Sequence, residues 1–218
     1  MLFDVTRDAV TGIFGEDRLA TLPASAFPAS AADTRGARLL RAVGVPTGTL
    51  YLREPDEESG LLPLVGEVVD VEIFEGMEGM ESTADEAGAW PVIGWLLNAH
   101  LALDPVSGKV YAFDPDEETA RELHADVSSL VHVTLRFQRL LDEFTFDDEG
   151  DDSGGDGGSE EAGFERLDRE VERIRAETSR IDPLPFQDDE TVWWVVGDEI
   201  AEGQRFTDDS PAGRSLYG

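Results

Sequence analysis

The sequence contains no cysteine and only three histidines among its 218 residues. Without cysteine there are no disulfides, no thiol nucleophile and no thiolate metal site, which fits a reducing compartment. The first residues, MLFDVTRDAV, carry acids where a signal peptide needs a basic start and an apolar run, so we expect no leader. No segment approaches the roughly 20 apolar residues of a membrane span. We therefore expect a cytoplasmic protein that does not enter a membrane.

Basic residues are also scarce, because 17 lysines and arginines stand against 48 acids and give a net charge of −31 at pH 7. A surface this negative repels nucleic-acid phosphates and anionic lipids, so neither is expected as a direct partner. It would attract a basic protein instead. Solubility alone is the alternative explanation of the charge.

The motifs of common catalytic sites are missing as well. The sequence has neither His-Glu-x-x-His nor Gly-x-Ser-x-Gly. His100, His124 and His132 have no neighbours in a ligand or general-base pattern, so surface or core-edge positions are expected for them. We predict no enzymatic activity, no cofactor and no metal site. A hydrolase that uses acidic residues and a metal ion is the weakest alternative.

The segment LALDPVSGKVYAFDP, residues 101–115, raises the question of a ligand site or a turn. It lacks the regular acid spacing of a calcium loop. Its glycine precedes a strand rather than a helix, which excludes a phosphate-binding loop. Pro105 presets φ for a turn, and Gly108 can take a positive φ. The segment therefore predicts a β-hairpin.

Helical and strand patterns occupy separate parts of the chain, which predicts an α+β fold. Helices are predicted over 33–46, 127–144 and 164–181, with Asp33 capping the first and Ser128 or Ser129 the second. Segment 189–203 fits a helix or a strand, and a helix is preferred because acids cluster at its start and Gly203 follows its end. Strands are predicted in TGTLYLREPDEES, over 61–74, and in PVIGWLL, HLALD and KVYAFD. Residues 75–90 have no clean period and are predicted to form a loop.

The composition changes abruptly at DDEGDDSGGDGGSEEAG, residues 147–163, which is almost wholly Asp, Glu, Gly and Ser. Such a segment predicts a disordered linker. We therefore divide the chain into an α+β core (1–146), the linker (147–163) and C-terminal helices with a frayed tail (164–218), which we expect to pack on the core. Adjacent Trp193 and Trp194 cannot face the same way on a helix, so one is expected to reach a partner.

Several segments together resemble the SUKH superfamily of bacterial immunity proteins, and within it the fourth group, which is common in actinobacteria. The matching pieces are DTRGARLLRAVGVP, VIGWLLNAHLALDPVSGKVYAFD, DVSSLVHVTLRFQRLL and RIDPLPFQDDETVWWVVGDEIAEG. The acidic segment 147–163 looks like an insertion relative to that family. The resemblance implies a strongly bent, mainly antiparallel sheet with flanking helices, followed here by a C-terminal helical appendix.

The resemblance also implies a function without chemistry. Members bind and neutralise the toxin encoded beside them in polymorphic toxin systems, including nucleases and nucleic-acid deaminases. Such toxins hold nucleic acid on basic faces, which an excess of 31 negative charges would mask. The alternative is a non-catalytic regulatory scaffold of the same fold that binds a host protein. The residues predicted to contact the partner are Glu54, Asp56, Glu57, Glu58, Asp114, Asp116, Glu117 and Trp194.

Overall fold

Two compact units, Met1–Leu135 and Arg136–Gly218, make up the chain. The computed structural model describes residues 1–77, 80, 82–146 and 158–217. Most of the predicted linker 147–163 therefore lies outside the described residues.

A five-stranded antiparallel sheet organises the first unit. Its strands are β3 (Tyr51–Leu52), β4 (Val92–Leu96), β5 (Ala99–Leu103), β6 (Val110–Asp114) and β7 (Thr119–His124). They lie side by side in chain order. The predicted α+β class is confirmed, and so are the three central strands. The sequence analysis did not predict β7, because its residues TARELH are mostly polar.

A smaller antiparallel pair, β1 (Leu19–Ala20) and β2 (Val45–Pro46), lies near two short helices. The helices are α1 (Arg7–Phe14) and α2 (Arg35–Ala42), and single 3-10 turns cover Glu16–Arg18 and Ala24–Ala26.

Helix α2 corresponds to the helix predicted over 33–46, but its cap differs from the prediction. Thr34, not Asp33, is the N-cap, and its Oγ1 accepts a hydrogen bond from the Ala37 N–H at 3.3 Å. Asp33 lies one residue too early for this role. Gly44, with φ of 79°, follows the end of the helix.

The strand predicted over 61–74 is wrong. The chain forms a short helix, α3 (Val65–Val68), and a 3-10 helix (Val71–Phe74). The Glu67 carboxylate accepts the Leu64 N–H at 2.8 Å, which satisfies a donor at the start of α3. Burial and capping outweigh the strand preference of β-branched residues here.

The predicted loop 75–90 contains one further helix, α4 (Ala84–Ala87). Thr83 and Glu86 cap each other, with Thr83 N–H donating to the Glu86 carboxylate at 2.8 Å and Glu86 N–H to Thr83 Oγ1 at 3.3 Å. These short helices pack with the five-stranded sheet in one apolar cluster, which consists of Val65, Phe74, Ala87, Trp90, Val92, Ala102, Tyr111 and Phe113.

The long helix predicted over 127–144 is confirmed as α5 (Val127–Glu143). Its cap is Asp126 rather than a serine, because the Asp126 carboxylate accepts the Ser129 N–H at 3.1 Å. Burial works to raise the pKa of Asp126, but hydrogen bonds from Ser128, Ser129 and the Leu2 N–H together lower it below its ordinary value. Since Asp126 is the cap, Ser128 and Ser129 lie in the first turn of α5.

The second unit contains α6 (Gly158–Ser179), α7 (Val192–Ala201) and α8 (Pro211–Tyr217), with a 3-10 turn at Leu184–Phe186. The helices predicted over 164–181 and 189–203 are confirmed. Helix α6 begins at Gly158, earlier than predicted, and α8 occupies the segment for which a frayed tail was predicted.

The core of the second unit is aromatic. Phe137 stacks on Trp193 with ring centroids 5.6 Å apart and meets Phe186 edge-on at 6.1 Å. The apolar stripes of α6 and α7 are buried through Leu167, Val171, Ile174, Val196 and Ile200. Among the described residues, the structure contains no helix that is both long and apolar enough to cross a membrane.

Candidate partner-binding surface

The loop between β5 and β6 is a turn, as the sequence predicted. The Asp104 side chain is fully buried, and its carboxylate accepts the Val106 N–H at 2.8 Å and the Ser107 hydroxyl at 2.7 Å. The Gly108 N–H donates to the Asp104 carbonyl at 2.9 Å, and the φ of Gly108 is 81°. The aspartate therefore stabilises the backbone of the hairpin.

The lysine of this hairpin is paired as well. Lys109 Nζ lies 2.6 Å from Glu122 Oε1 on β7, and the Tyr111 hydroxyl donates to the same oxygen at 3.3 Å. Within the described part of the chain, no group of three or more His, Asp or Glu side chains is arranged to hold a metal ion.

The first group of predicted acids lies in the loop after β3. Glu54, Asp56, Glu57 and Glu58 are all exposed. The Asp56 carboxylate also shapes this loop, since it accepts the N–H groups of Ser59 at 2.8 Å and Glu58 at 3.0 Å. Hydrogen bonds from Ser59 and Glu58 lower the pKa of Asp56. Asp56 therefore fixes the shape of a loop whose other three predicted acids point into solvent.

The second group of predicted acids lies in the turn between β6 and β7. Asp114 is buried, and its carboxylate accepts the Asn98 amide at 2.6 Å and the Asp116 N–H at 2.9 Å. Asp114 therefore holds two neighbouring turns together. Asp116 and Glu117 are exposed and lie on the outside of this turn.

The two acidic groups lie in different parts of the sheet. Strands β4 and β5 separate β3 from β6, which corresponds to about 14 Å across three strand spacings. The Arg53 N–H donates to the Ile93 carbonyl, so the chain leaves β3 beside the start of β4. The Asn98–Asp114 bond ties the other group to the turn after β4. The predicted acids do not form one cluster.

Trp194 lies on α7 in the second unit. The Arg175 guanidinium carbon lies 4.1 Å from the centre of a Trp194 ring. Nη1 of Arg175 is 2.7 Å from the Glu172 carboxylate, and Nη2 is 2.6 Å from that of Asp198. Trp193 is fully buried and Trp194 is partly exposed, so the two indoles face different surroundings as predicted.

His100 and His132 are partly exposed, in line with the predicted surface or core-edge positions, but the prediction is wrong for His124, which lies in the core. His124 is fully buried, its Nδ1 lies 2.9 Å from the Ser129 hydroxyl, and burial lowers its pKa to about 3. His132 stacks on Phe3 with centroids 4.1 Å apart. His100 is partly exposed, and burial followed by the charge of Arg53 lowers its pKa.

One line of side chains crosses all five strands and was missed by the sequence analysis. Tyr51 pairs with Trp95, Trp95 with His100, His100 with Phe113, and Phe113 with Ala120. Directly paired residues share one face of a sheet. We call the first four of these residues the aromatic row. The Tyr51 and Trp95 rings stack with centroids 5.6 Å apart, and those of His100 and Phe113 at 5.3 Å.

The two ends of the aromatic row differ in exposure. Phe113 is 1% exposed and packs against Phe74 at 6.0 Å, whereas Tyr51 on the edge strand is 48% exposed. Trp95 and His100 between them are partly exposed. Each aromatic residue is visible in the sequence, but its neighbours depend on strand register, which one sequence does not specify. The result is an aromatic surface at one side of the sheet.

These features define an α+β protein that presents carboxylates in two turns and aromatic rings on one sheet face. The sequence model of the SUKH-4 immunity protein family matches residues 5–199, and the chain belongs to this family. It is therefore an immunity protein, and membership implies that it binds a cognate toxin. Proteins of this family are generally non-catalytic. Searches of curated proteins and of solved structures return no match.

Proposed function

We propose that this protein neutralises its cognate toxin in the cytoplasm by covering the toxin's active face, and that the toxin is a nuclease or a nucleic-acid deaminase of a polymorphic toxin system. The observation that carries the toxin class is the net charge of −31. An enzyme that acts on nucleic acid needs a cationic surface for phosphates. A strongly acidic protein competes for that surface and is steered to it over long distances.

The exposed acids support this function. Glu54, Glu57 and Glu58 lie on one loop and Asp116 and Glu117 on another, so an approaching cationic surface meets carboxylates at two separate places. Asp56 and Asp114 contribute charge while holding the turns in shape. Trp194 is the remaining proposed contact, through the part of its ring that Arg175 does not cover.

The test uses the polypeptide encoded by the reading frame next to this one. Expressed alone in a bacterial host it should arrest growth, and co-expression of this protein should restore growth. The two should co-purify as a stable complex. In a nuclease or deaminase assay on purified nucleic acid, one equivalent of this protein should abolish activity.

Salt dependence separates electrostatic masking from other modes of inhibition. The association rate should fall about tenfold or more between low and physiological ionic strength, because exposed charges are screened over a Debye length of about 8 Å. A neighbouring polypeptide that is neither toxic nor bound overturns the proposal. In that case a host protein that co-purifies with the chain would favour the regulatory scaffold.

A further inference from the structure

We propose that the exposed end of the aromatic row, formed by Tyr51, Trp95 and His100, is the surface on which the toxin docks, with Asp116 and Glu117 beside it. The occupant of this surface is an arginine side chain from the cationic face of the toxin. This inference rests on the function proposed above and gives that function a location.

The geometry of the rings provides the first argument. Tyr51 and Trp95 are nearly parallel, with planes 14° apart, and Tyr51 is 48% exposed on an edge strand. Tyrosine and tryptophan are enriched among the residues that dominate binding energy at protein interfaces, because they bury a large area with few rotatable bonds. An exposed stacked pair of this kind also offers π faces to a planar cation.

The charges beside the rings provide the second argument. His100 pairs with Phe113, which directly precedes Asp114, and the Asp114 carboxylate accepts the Asn98 amide at 2.6 Å, which places the β6–β7 turn next to this part of the aromatic row. Asp116 and Glu117 are exposed in that turn. Burial and then the positive charge of Arg53 lower the pKa of His100, which favours its neutral form.

The second unit contains an arginine that is bound by an aromatic ring and carboxylates, as we propose for the toxin's arginine. There the Arg175 guanidinium lies on the Trp194 ring at 4.1 Å while the Glu172 and Asp198 carboxylates bind its nitrogens. That arrangement combines a cation–π contact with charge-assisted hydrogen bonds. The proposed docking surface combines the rings of Tyr51 and Trp95 with the exposed carboxylates of the neighbouring β6–β7 turn. Arginine fits this surface better than lysine, because a planar guanidinium can stack on a ring and donate hydrogen bonds to carboxylates at the same time.

The test measures the affinity of purified variants for the adjacent-frame polypeptide, inactivated at its own catalytic site. Tyr51→Ala and Trp95→Leu should each raise Kd by about tenfold or more, as expected for central aromatic contacts. Asp116→Asn/Glu117→Gln should raise Kd by about tenfold and reduce its salt dependence. Tyr51→Ala changes an exposed side chain, so it reports on binding even where Trp95→Leu disturbs the fold.

Two matched controls lie elsewhere on the first unit. Val106→Ala truncates a side chain that is 77% exposed at the opposite end of β5. Asp8→Asn/Asp17→Asn removes the same charge as the acidic variant from exposed positions near α1. Both controls should keep Kd within about twofold of the unmodified protein, as is typical of surface changes outside an interface.

The occupant is tested by double-mutant cycles between Trp95→Leu and each arginine-to-glutamine or lysine-to-glutamine change on the toxin face. One arginine should couple to Trp95 by about tenfold, and lysines should not. A complex whose Kd is unaffected by the Tyr51, Trp95 and Asp116/Glu117 variants overturns this docking surface while leaving the proposed function intact. If the unmodified protein does not bind the polypeptide, both are wrong.

Discussion

The backbone of Gly197 lies directly against the guanidinium group of Arg175. A Cβ atom on residue 197 would stand 2.6 Å from Nη2 and 3.1 Å from Cζ of that side chain. Arg175 is 7% exposed in its side chain and is held by Glu172 and Asp198, so it cannot move aside without breaking these bonds. The absence of a side chain at residue 197 is therefore what lets the arginine reach Trp194.

Gly197→Ala should lower the free energy of unfolding by about 1–2 kcal/mol, because overpacking outweighs the gain in helix propensity. Urea unfolding followed by tryptophan fluorescence measures this change. Gly12→Ala is the control, since Gly12 lies in exposed α1 with nothing within 4 Å of its added Cβ, and it should be neutral or stabilising. Equal stabilisation by both substitutions would contradict the prediction.

Gly94→Ala should release β3 from the sheet. The new Cβ would lie 2.4 Å from the Tyr51 carbonyl oxygen, so the two strands cannot keep their present register. Hydrogen exchange at the Arg53 amide, which donates to the Ile93 carbonyl at 2.9 Å, should become about tenfold faster or more. The Gly12→Ala protein should retain the protection of this amide. Unchanged exchange at Arg53 in the Gly94 variant would show that the strand adapts without loss.

Asp104→Ala should destabilise the first unit by about 1–3 kcal/mol, because the Val106 N–H and the Ser107 hydroxyl lose a buried acceptor. Asp104→Asn keeps one side-chain oxygen and should cost less. Chemical unfolding gives both values. Toxin affinity should be the same for both variants and the unmodified protein once folded. A selective loss of affinity in the folded Asn variant would mean that the hairpin binds the partner.

Acid should destabilise the protein through His124. Its pKa is about 3 in the folded protein, against an ordinary value of 6.5, so the unfolded chain binds more protons between these two pH values. Stability therefore falls as pH drops below 6.5, by about 1.4 kcal/mol per pH unit from this residue alone, or about 2 kcal/mol by pH 5.

The comparison with His124→Asn isolates this effect. The variant is expected to be less stable at neutral pH, but its stability should fall less steeply on acidification. All carboxylates are common to both proteins, so their titration cancels in the difference. Unfolding by urea at several pH values between 7 and 5 gives that difference. Parallel pH profiles would mean that folding does not change the pKa of His124.

The parts of the fold that could be predicted carry local signals. Pro105 and Gly108 mark the hairpin, and the apolar stripe of α5 repeats at helical spacing. The segment 61–74 has an equally strong local signal, but it is a misleading one. Its β-branched residues suggest a strand, while the Glu67 carboxylate and the buried Phe74 stabilise helical turns. The packing of Phe74 against Trp90 and Phe113, which are distant in the chain, is not readable from a short window of sequence.

Only part of the candidate surface could be predicted from the sequence. The acids at 54–58 and 116–117 are exposed, as expected of charged loops. Nothing in the sequence distinguishes Asp114 from Asp116, although one is buried in hydrogen bonds and the other lies outside. The aromatic row was missed because its members come from four separate strands. Only the register of those strands brings them together.

The two ends of the aromatic row differ in exposure, so substitutions there have different consequences. At Phe113 a substitution would disturb the core, whereas at Tyr51 it would change an exposed ring on an edge strand of two residues. Substitutions at Tyr51 would therefore alter the surface proposed for the toxin, one side chain at a time, while the residues that fold the domain stay under constant constraint.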